Sequence, residues 1–185
     1  MARRRTAPRN RAEPARGLDR LWAPWRRAYV EGAAGRPAKC IFCFGRIGPD
    51  ALRERLVLQA DARVIVMLNR YPYNNGHLMV APRRHVASPE LLKPGEHAAL
   101  SAAIADAVAS LRRAYHPDGL NLGANLGRAA GAGIAAHLHW HLVPRWEGDT
   151  NFMPVMAGTR VLAEMLEETF ARLQPHFKNG RQPIS

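Results

Sequence analysis

From residue 137 the chain runs His-Leu-His-Trp-His-Leu-Val, with polar and apolar positions in strict alternation. Successive side chains of an extended strand point to opposite faces. The pattern therefore predicts a half-buried strand over 137–143, with His137, His139 and His141 on one face and Leu138, Trp140 and Leu142 on the other. Neighbouring histidines on that face would stand about 6.8 Å apart. Residues 54–59 and 63–68 read as two strands around the turn Ala60-Asp61-Ala62, and Asn74-Asn75-Gly76 is a turn signal. Residues 77–82 follow as a strand, with Leu78 and Val80 on one face and His77 and Met79 on the other. Ser88-Pro89-Glu90 has the form of a helix start. From Glu96 to Tyr115, the residues Leu100, Ile104, Val108, Leu111 and Tyr115 recur at helical spacing, and Pro117-Asp118-Gly119 stops that helix. Residues 119–125 predict another strand. Residues 159–177 predict a second helix through Leu162, Met165, Leu166, Phe170 and Leu173. Strands, a long helix, more strands and a terminal helix make an α+β fold.

Composition adds limits. At 185 residues, nearly half of them apolar, the chain suffices for one domain with a real core. No run approaches the ~20 apolar residues of a membrane span. The net charge of +12 is uneven: residues 1–20 hold seven arginines against Glu13 and Asp19. This segment reads as a disordered basic tail, with contact to nucleic acid or anionic surfaces as the sharper alternative. Its charge resembles a signal n-region, but no apolar h-region follows; an Arg-rich, acid-poor start also suits a transit peptide. Residues 21–37 form an aromatic-rich extension around Leu21, Trp22, Trp25 and Tyr29, and residues 178–185 a short tail. Only two cysteines are present, so a disulfide-stapled secreted fold is not expected and a reducing cytoplasm is the expected location.

Three imidazoles on one strand face suggest chemistry. They can hold a metal, or one can act as nucleophile while its neighbours position groups and move protons. The loop before them, Gly127-Arg128-Ala129-Ala130-Gly131-Ala132-Gly133, has small residues whose amides suit phosphate oxygens. Loop and histidines together suggest a phosphate ester or anhydride held against an imidazole. The pair Cys40-Ile41-Phe42-Cys43 has the spacing of a metal knuckle, of a redox dithiol, or of two buried small apolar residues. Two cysteines alone do not complete a tetrahedral site.

The run 137–143 resembles the His-φ-His-φ-His-φ-φ motif of the histidine triad (HIT) superfamily, φ being apolar. Asn69-Arg70-Tyr71-Pro72-Tyr73-Asn74-Asn75-Gly76-His77 is similar to its nucleotide-binding segment ending in Gly-His, and Ala81-Pro82-Arg83-Arg84-His85 to the segment after it. Asn125-Leu126-Gly127, Ala130-Gly131 and Val143-Pro144-Arg145-Trp146 also fit. Leu21-Trp22-Ala23-Pro24-Trp25-Arg26 and Gly148-Asp149-Thr150-Asn151-Phe152 resemble the bacterial diadenosine tetraphosphate phosphorylase branch. The resemblance implies a HIT domain over residues 38–177, an antiparallel sheet with one long helix and a C-terminal helix, and a sheet-extended homodimer. It implies that His139 is the nucleophile, forming a covalent nucleotidyl-histidine, that His141 contacts the phosphate and protonates the leaving oxygen, and that His77 fixes the hydrogen bonding of the triad. Asn69 would meet the ribose, and Asn125, Gly131, Ala132, Gly133 and Trp146 would serve nucleotide and phosphate binding.

For the branch, the implied reaction is diadenosine tetraphosphate plus phosphate giving ATP and ADP. Where the branch carries Gly-Ser, this chain has Ala132-Gly133. A hydrolase of dinucleoside polyphosphates or a nucleoside phosphoramidase is the alternative, and a non-enzymatic nucleotide-binding module a further one. In the zinc-bearing members a CxxC pair joins two histidines, which implies structural Zn2+ on Cys40, Cys43, His85 and His137. His97, His116 and His176 are expected at the surface.

Overall fold

The computed structural model describes residues 40–149 and 164–177. The basic tail, the aromatic extension, the C-terminal tail, and the start of the last expected helix lie outside them, as do Thr150-Asn151-Phe152. In chain order the elements are α1 (Pro49–Glu54), β1 (Val57–Ala60), β2 (Val64–Leu68), β3 (Leu78–Pro82), a 3-10 turn at Pro89–Leu91, α2 (Pro94–Tyr115), β4 (Gly119–Ala124), β5 (Trp140–Arg145) and α3 (Leu166–Phe177). The strands form one antiparallel sheet in the order β1-β2-β3-β5-β4. This is the α+β arrangement expected from the sequence, an antiparallel sheet with one long helix and a C-terminal helix.

Period-two alternation divides the sheet into two faces. Val64, Val66, Leu68, Leu78, Val80, Leu138 and Leu142 enter the main core with α2 and α3, through Leu100, Leu111, Phe170 and Leu173. On the other face Val57, Ile65, Met67, Met79 and Ala81 form a smaller apolar group around Phe42. The histidine face lies on this second side, since His141 pairs with Met79.

Three details depart from expectation. The ladder of β5 begins at Trp140 rather than at residue 137. Its last partner on β3 is Val80, and beyond it Pro82 lacks an N–H to continue. Leu138 N–H bonds instead to Val86 C=O at 2.6 Å. The alternation of faces survives: Leu138 is buried in the main core, and His137 and His139 turn away from it. Helix α2 presents Ala99, Leu100, Ala103, Ala107, Ser110 and Leu111 to the core, while Ile104 and Val108 pack at its margin. Alanines on that line let the helix backbone approach the sheet. Residues 49–54 form helix α1 where the strand β1 was expected to begin at residue 54. No residue of α1 is buried, so it has no apolar stripe to read. At the turn before β3, Gly76 has φ +72°, and a Cβ there would meet Tyr115, Leu111 and Pro144 at 3.1–3.3 Å. Only glycine suits this turn, which delivers His77 to the sheet.

Candidate active site and metal centre

Each histidine of the face is oriented by what its ring nitrogens meet. His137 Nε2 lies 2.8 Å from Pro82 C=O and donates to it, which leaves Nδ1 with a lone pair. His139 is held in the opposite sense. Its Nδ1–H donates to His137 C=O at 2.8 Å, leaving the lone pair on Nε2. Tyr73 N–H donates to His77 Nδ1 at 3.0 Å, so the His77 proton sits on Nε2 and is given to His141 Nδ1 at 2.9 Å. His141 Nε2 is therefore a donor. The His139 and His141 rings meet edge to face, with centroids 4.9 Å apart. A bare imidazole lone pair beside an N–H donor is a pair suited to attack and to leaving-group protonation.

Burial lowers the pKa of His139 from 6.5, against the opposing pull of the His137 carbonyl, so its ring is neutral at pH 7. His137 is lowered chiefly by burial too, with electrostatic repulsion from its neighbours, Arg83 among them, adding to the effect and the Pro82 carbonyl opposing it. Asn69 places Nδ2 3.4 Å from His77 Nδ1 and accepts Tyr71 N–H at 3.0 Å.

Beyond His137 lies a second cluster. Cys40 Sγ, Cys43 Sγ, His85 Nδ1 and His137 Nδ1 lie within 4.8 Å of one another and are placed to bind a metal ion. His137 Nδ1 stands 3.3 Å from Cys40 Sγ, 3.5 Å from Cys43 Sγ and 3.2 Å from His85 Nδ1, and Cys43 Sγ stands 3.2 Å from His85 Nδ1. A tetrahedral centre with bonds of about 2.3 Å to sulfur and 2.0 Å to nitrogen sets its donors roughly 3.3–3.8 Å apart. The donor set fits such an ion. Partial desolvation, then the adjoining Cys40 thiol, raise the Cys43 pKa, so a cation is what makes two thiolates side by side favourable. The cluster is braced from both sides. Arg83 donates to Phe44 C=O at 2.7 Å, just after the cysteine turn. Arg84 donates to both carboxylate oxygens of Glu96 and to Leu91 C=O, tying the His85 segment to the start of α2.

The other expected site residues divide. Asn125 follows Ala124, the β4 partner of Trp140, and so lies at the triad end of the sheet. In the glycine loop, Gly131 N–H is taken by Arg128 C=O at 2.9 Å and Ala132 N–H by Gly127 C=O at 3.3 Å. Gly133 is the exposed member of the three, and its amide has no backbone partner among the described residues. Trp146 follows His141 by five residues, about 17 Å along the chain. Its ring packs against Tyr115 and lines a cavity of about 690 Å³ with Asn74, Glu164 and Arg172. Among the described residues, the ring contact of Trp146 is with Tyr115. His97 and His116 are exposed and His176 half-buried.

Three contributors escaped sequence reasoning. Tyr73 and Pro82 act through backbone atoms, which leave no side-chain signature. Phe42 packs against both His137 and His139; its only signal was a bulky apolar residue inside the cysteine spacing.

The family model described as HIT domain matches residues 53–148. The chain is 38% identical over 174 residues to a Mycobacterium tuberculosis protein named AP-4-A phosphorylase, covering 90% of this chain and 87% of that one. Among solved structures, a hypothetical histidine triad nucleotide-binding protein from Sulfolobus tokodaii superposes with TM-score 0.58 at 26% identity, over 76% of this chain and 93% of that one. A Zn-bound histidine triad family protein from Mycobacterium smegmatis shares the fold with TM-score 0.58 at 24% identity, over 76% of this chain and 94% of that one.

Proposed function

The chain belongs to the HIT family, and on that premise we propose that it is a nucleotidyl-transferring enzyme acting on dinucleoside polyphosphates, with His139 as nucleophile. His139 Nε2 attacks the α-phosphorus of diadenosine tetraphosphate and a P–N bond forms. The P–O bond to the bridging oxygen breaks, and ATP leaves with a proton supplied from His141 Nε2. Inorganic phosphate, entering as the monohydrogen-bearing acceptor, then gives a proton back to His141 Nε2 and attacks the nucleotidyl-histidine on the same phosphorus, the P–N bond breaks, and ADP departs with the lone pair returned to His139. The observation that carries this reading is the 2.8 Å bond from His139 Nδ1–H to His137 C=O, which leaves Nε2 bare beside the His141 donor. The relative named AP-4-A phosphorylase supports the choice of substrate.

A second reading has its own observation. The amides of Gly131 and Ala132 are spent within the loop, and Gly133 offers no hydroxyl to hold an incoming phosphate. Water then becomes the acceptor and AMP the second product. Incubation of the full chain with diadenosine tetraphosphate, with and without phosphate, separates the two. Phosphate-dependent ATP plus ADP supports the phosphorylase; ATP plus AMP in both supports the hydrolase; no turnover would overturn both.

We assign zinc to Cys40, Cys43, His85 and His137, because two sulfur and two imidazole donors at tetrahedral spacing favour it. Zinc there supplies a structural cross-link, while His139 takes no part in binding it. Pairing of two copies along β4 accounts for the exposure of Leu122 and Leu126 at that sheet edge; light scattering at the monomer mass would contradict it.

A further inference from the structure

The turn from Cys40 to Cys43 is closed by the bond of Cys43 N–H to Cys40 C=O at 3.1 Å. It carries one aromatic ring. Phe42 has no exposed surface. Its centroid lies 5.0 Å from the His137 ring and 5.2 Å from the His139 ring, inclined at 51° and 35°. It is the buried aromatic member of the apolar group with Val57, Ile65, Met67, Met79 and Ala81. The backbone of Phe42 is therefore held by its neighbours in the metal cluster, and its ring is held by two imidazoles with different tasks.

A rigid ring in a close-packed interior passes on displacement that a flexible chain would absorb. The His137 carbonyl restrains His139 at a single atom, Nδ1. A ring can still pivot about one hydrogen bond; His139 packs against two rings, the edge of His141 at 4.9 Å and the face of Phe42 at 5.2 Å, and of these Phe42 is the one carried on the cysteine turn.

We propose that Phe42 is a positioning residue for the transfer reaction, carrying the geometry of the metal-binding turn to the His139 ring, so that occupancy of the metal site sets the alignment of Nε2 with the reacting phosphorus. The proposal rests on the nucleophile reading above. It makes the metal site more than a cross-link: the same turn that binds the ion sets the reactive nitrogen.

The test uses the full chain loaded with zinc, as wild type, Phe42→Leu and Phe42→Ala. Both variants should keep about one zinc per chain. KM for diadenosine tetraphosphate should stay within about twofold, while kcat falls roughly tenfold for Leu and roughly a hundredfold for Ala. Nitrogen-15 spectra of the imidazoles give a second readout. Zinc-loaded wild type should hold His139 as the single Nδ1–H tautomer. Zinc-loaded Phe42→Leu, and wild type stripped of zinc, should show mixed tautomers at His139 with His77 unchanged. Wild-type kcat and a single tautomer in zinc-loaded Phe42→Leu would overturn the proposal. Should Phe42→Ala fail to fold, the Leu variant and the wild-type spectra still decide. Failure of the nucleophile reading is seen separately, as wild-type turnover in His139→Ala.

Discussion

His137 and His139 share a residue type, a face and a buried setting, yet their rings are prepared for different partners. His137 gives its Nε2 proton to Pro82 C=O and turns Nδ1 toward two thiols and His85. His139 gives its Nδ1 proton to the carbonyl of His137 and keeps Nε2 bare. The difference lies in which nitrogen a backbone carbonyl occupies. The backbone selects the tautomer, which turns one lone pair toward the candidate metal site and leaves the next for the nucleophilic role proposed above. The same logic governs the His77–His141 pair, where the Tyr73 amide fixes the direction of donation.

Substitutions that remove one half of this comparison and spare the other test it most strongly. His139→Ala should lower turnover by roughly 10⁴-fold or more while zinc content and thermal stability stay near wild type. Single-turnover kinetics and elemental analysis check both halves. Cys40→Ser should do the reverse in order of cause: zinc falls from about one per chain to near zero and stability drops by several kcal/mol, as read by denaturant titration. His141→Ala should lose roughly 10²- to 10³-fold in kcat, and less for substrates whose leaving group needs no proton. A constant loss across leaving groups of different basicity would remove His141 from proton transfer.

The pH dependence is a smaller effect with a definite sign. Burial holds His139 below 6.5, so kcat/KM should stay level as pH falls through 6.5 and decline only at lower pH. In the unfolded chain the ring takes its proton first. The stability linked to His139 is therefore present above 6.5 and is lost as pH falls through the lower folded value. An acid limb centred above 6.5 would contradict the buried, neutral ring.

Much of this arrangement was legible in the sequence, and the reasons are specific. Alternation from 137 to 143 assigned the two faces correctly because the core demands apolar residues at every second position. The Cys40, Cys43, His85 and His137 grouping came from a family resemblance, and the donor atoms converge. What alternation could not show was where the ladder starts, since that depends on Pro82 running out of N–H groups on a neighbouring strand. Nor could hydropathy find the line of Ala99, Ala103 and Ala107 on α2, because a close helix–sheet contact favours small residues that score weakly beside Ile104 and Val108. The tautomers were out of reach for a similar reason: Pro82 C=O, His137 C=O and Tyr73 N–H belong to the backbone, which every residue carries alike.

The measurement closest to the central claim is the mass of the enzyme quenched in base during turnover of diadenosine tetraphosphate, since a phosphorus–nitrogen bond to histidine survives base better than acid. One adenylyl group per active chain is expected, mapped by peptide fragmentation to His139 and absent from His139→Ala. An adduct on His141 or His77, or turnover with no adduct at any time point, would contradict it.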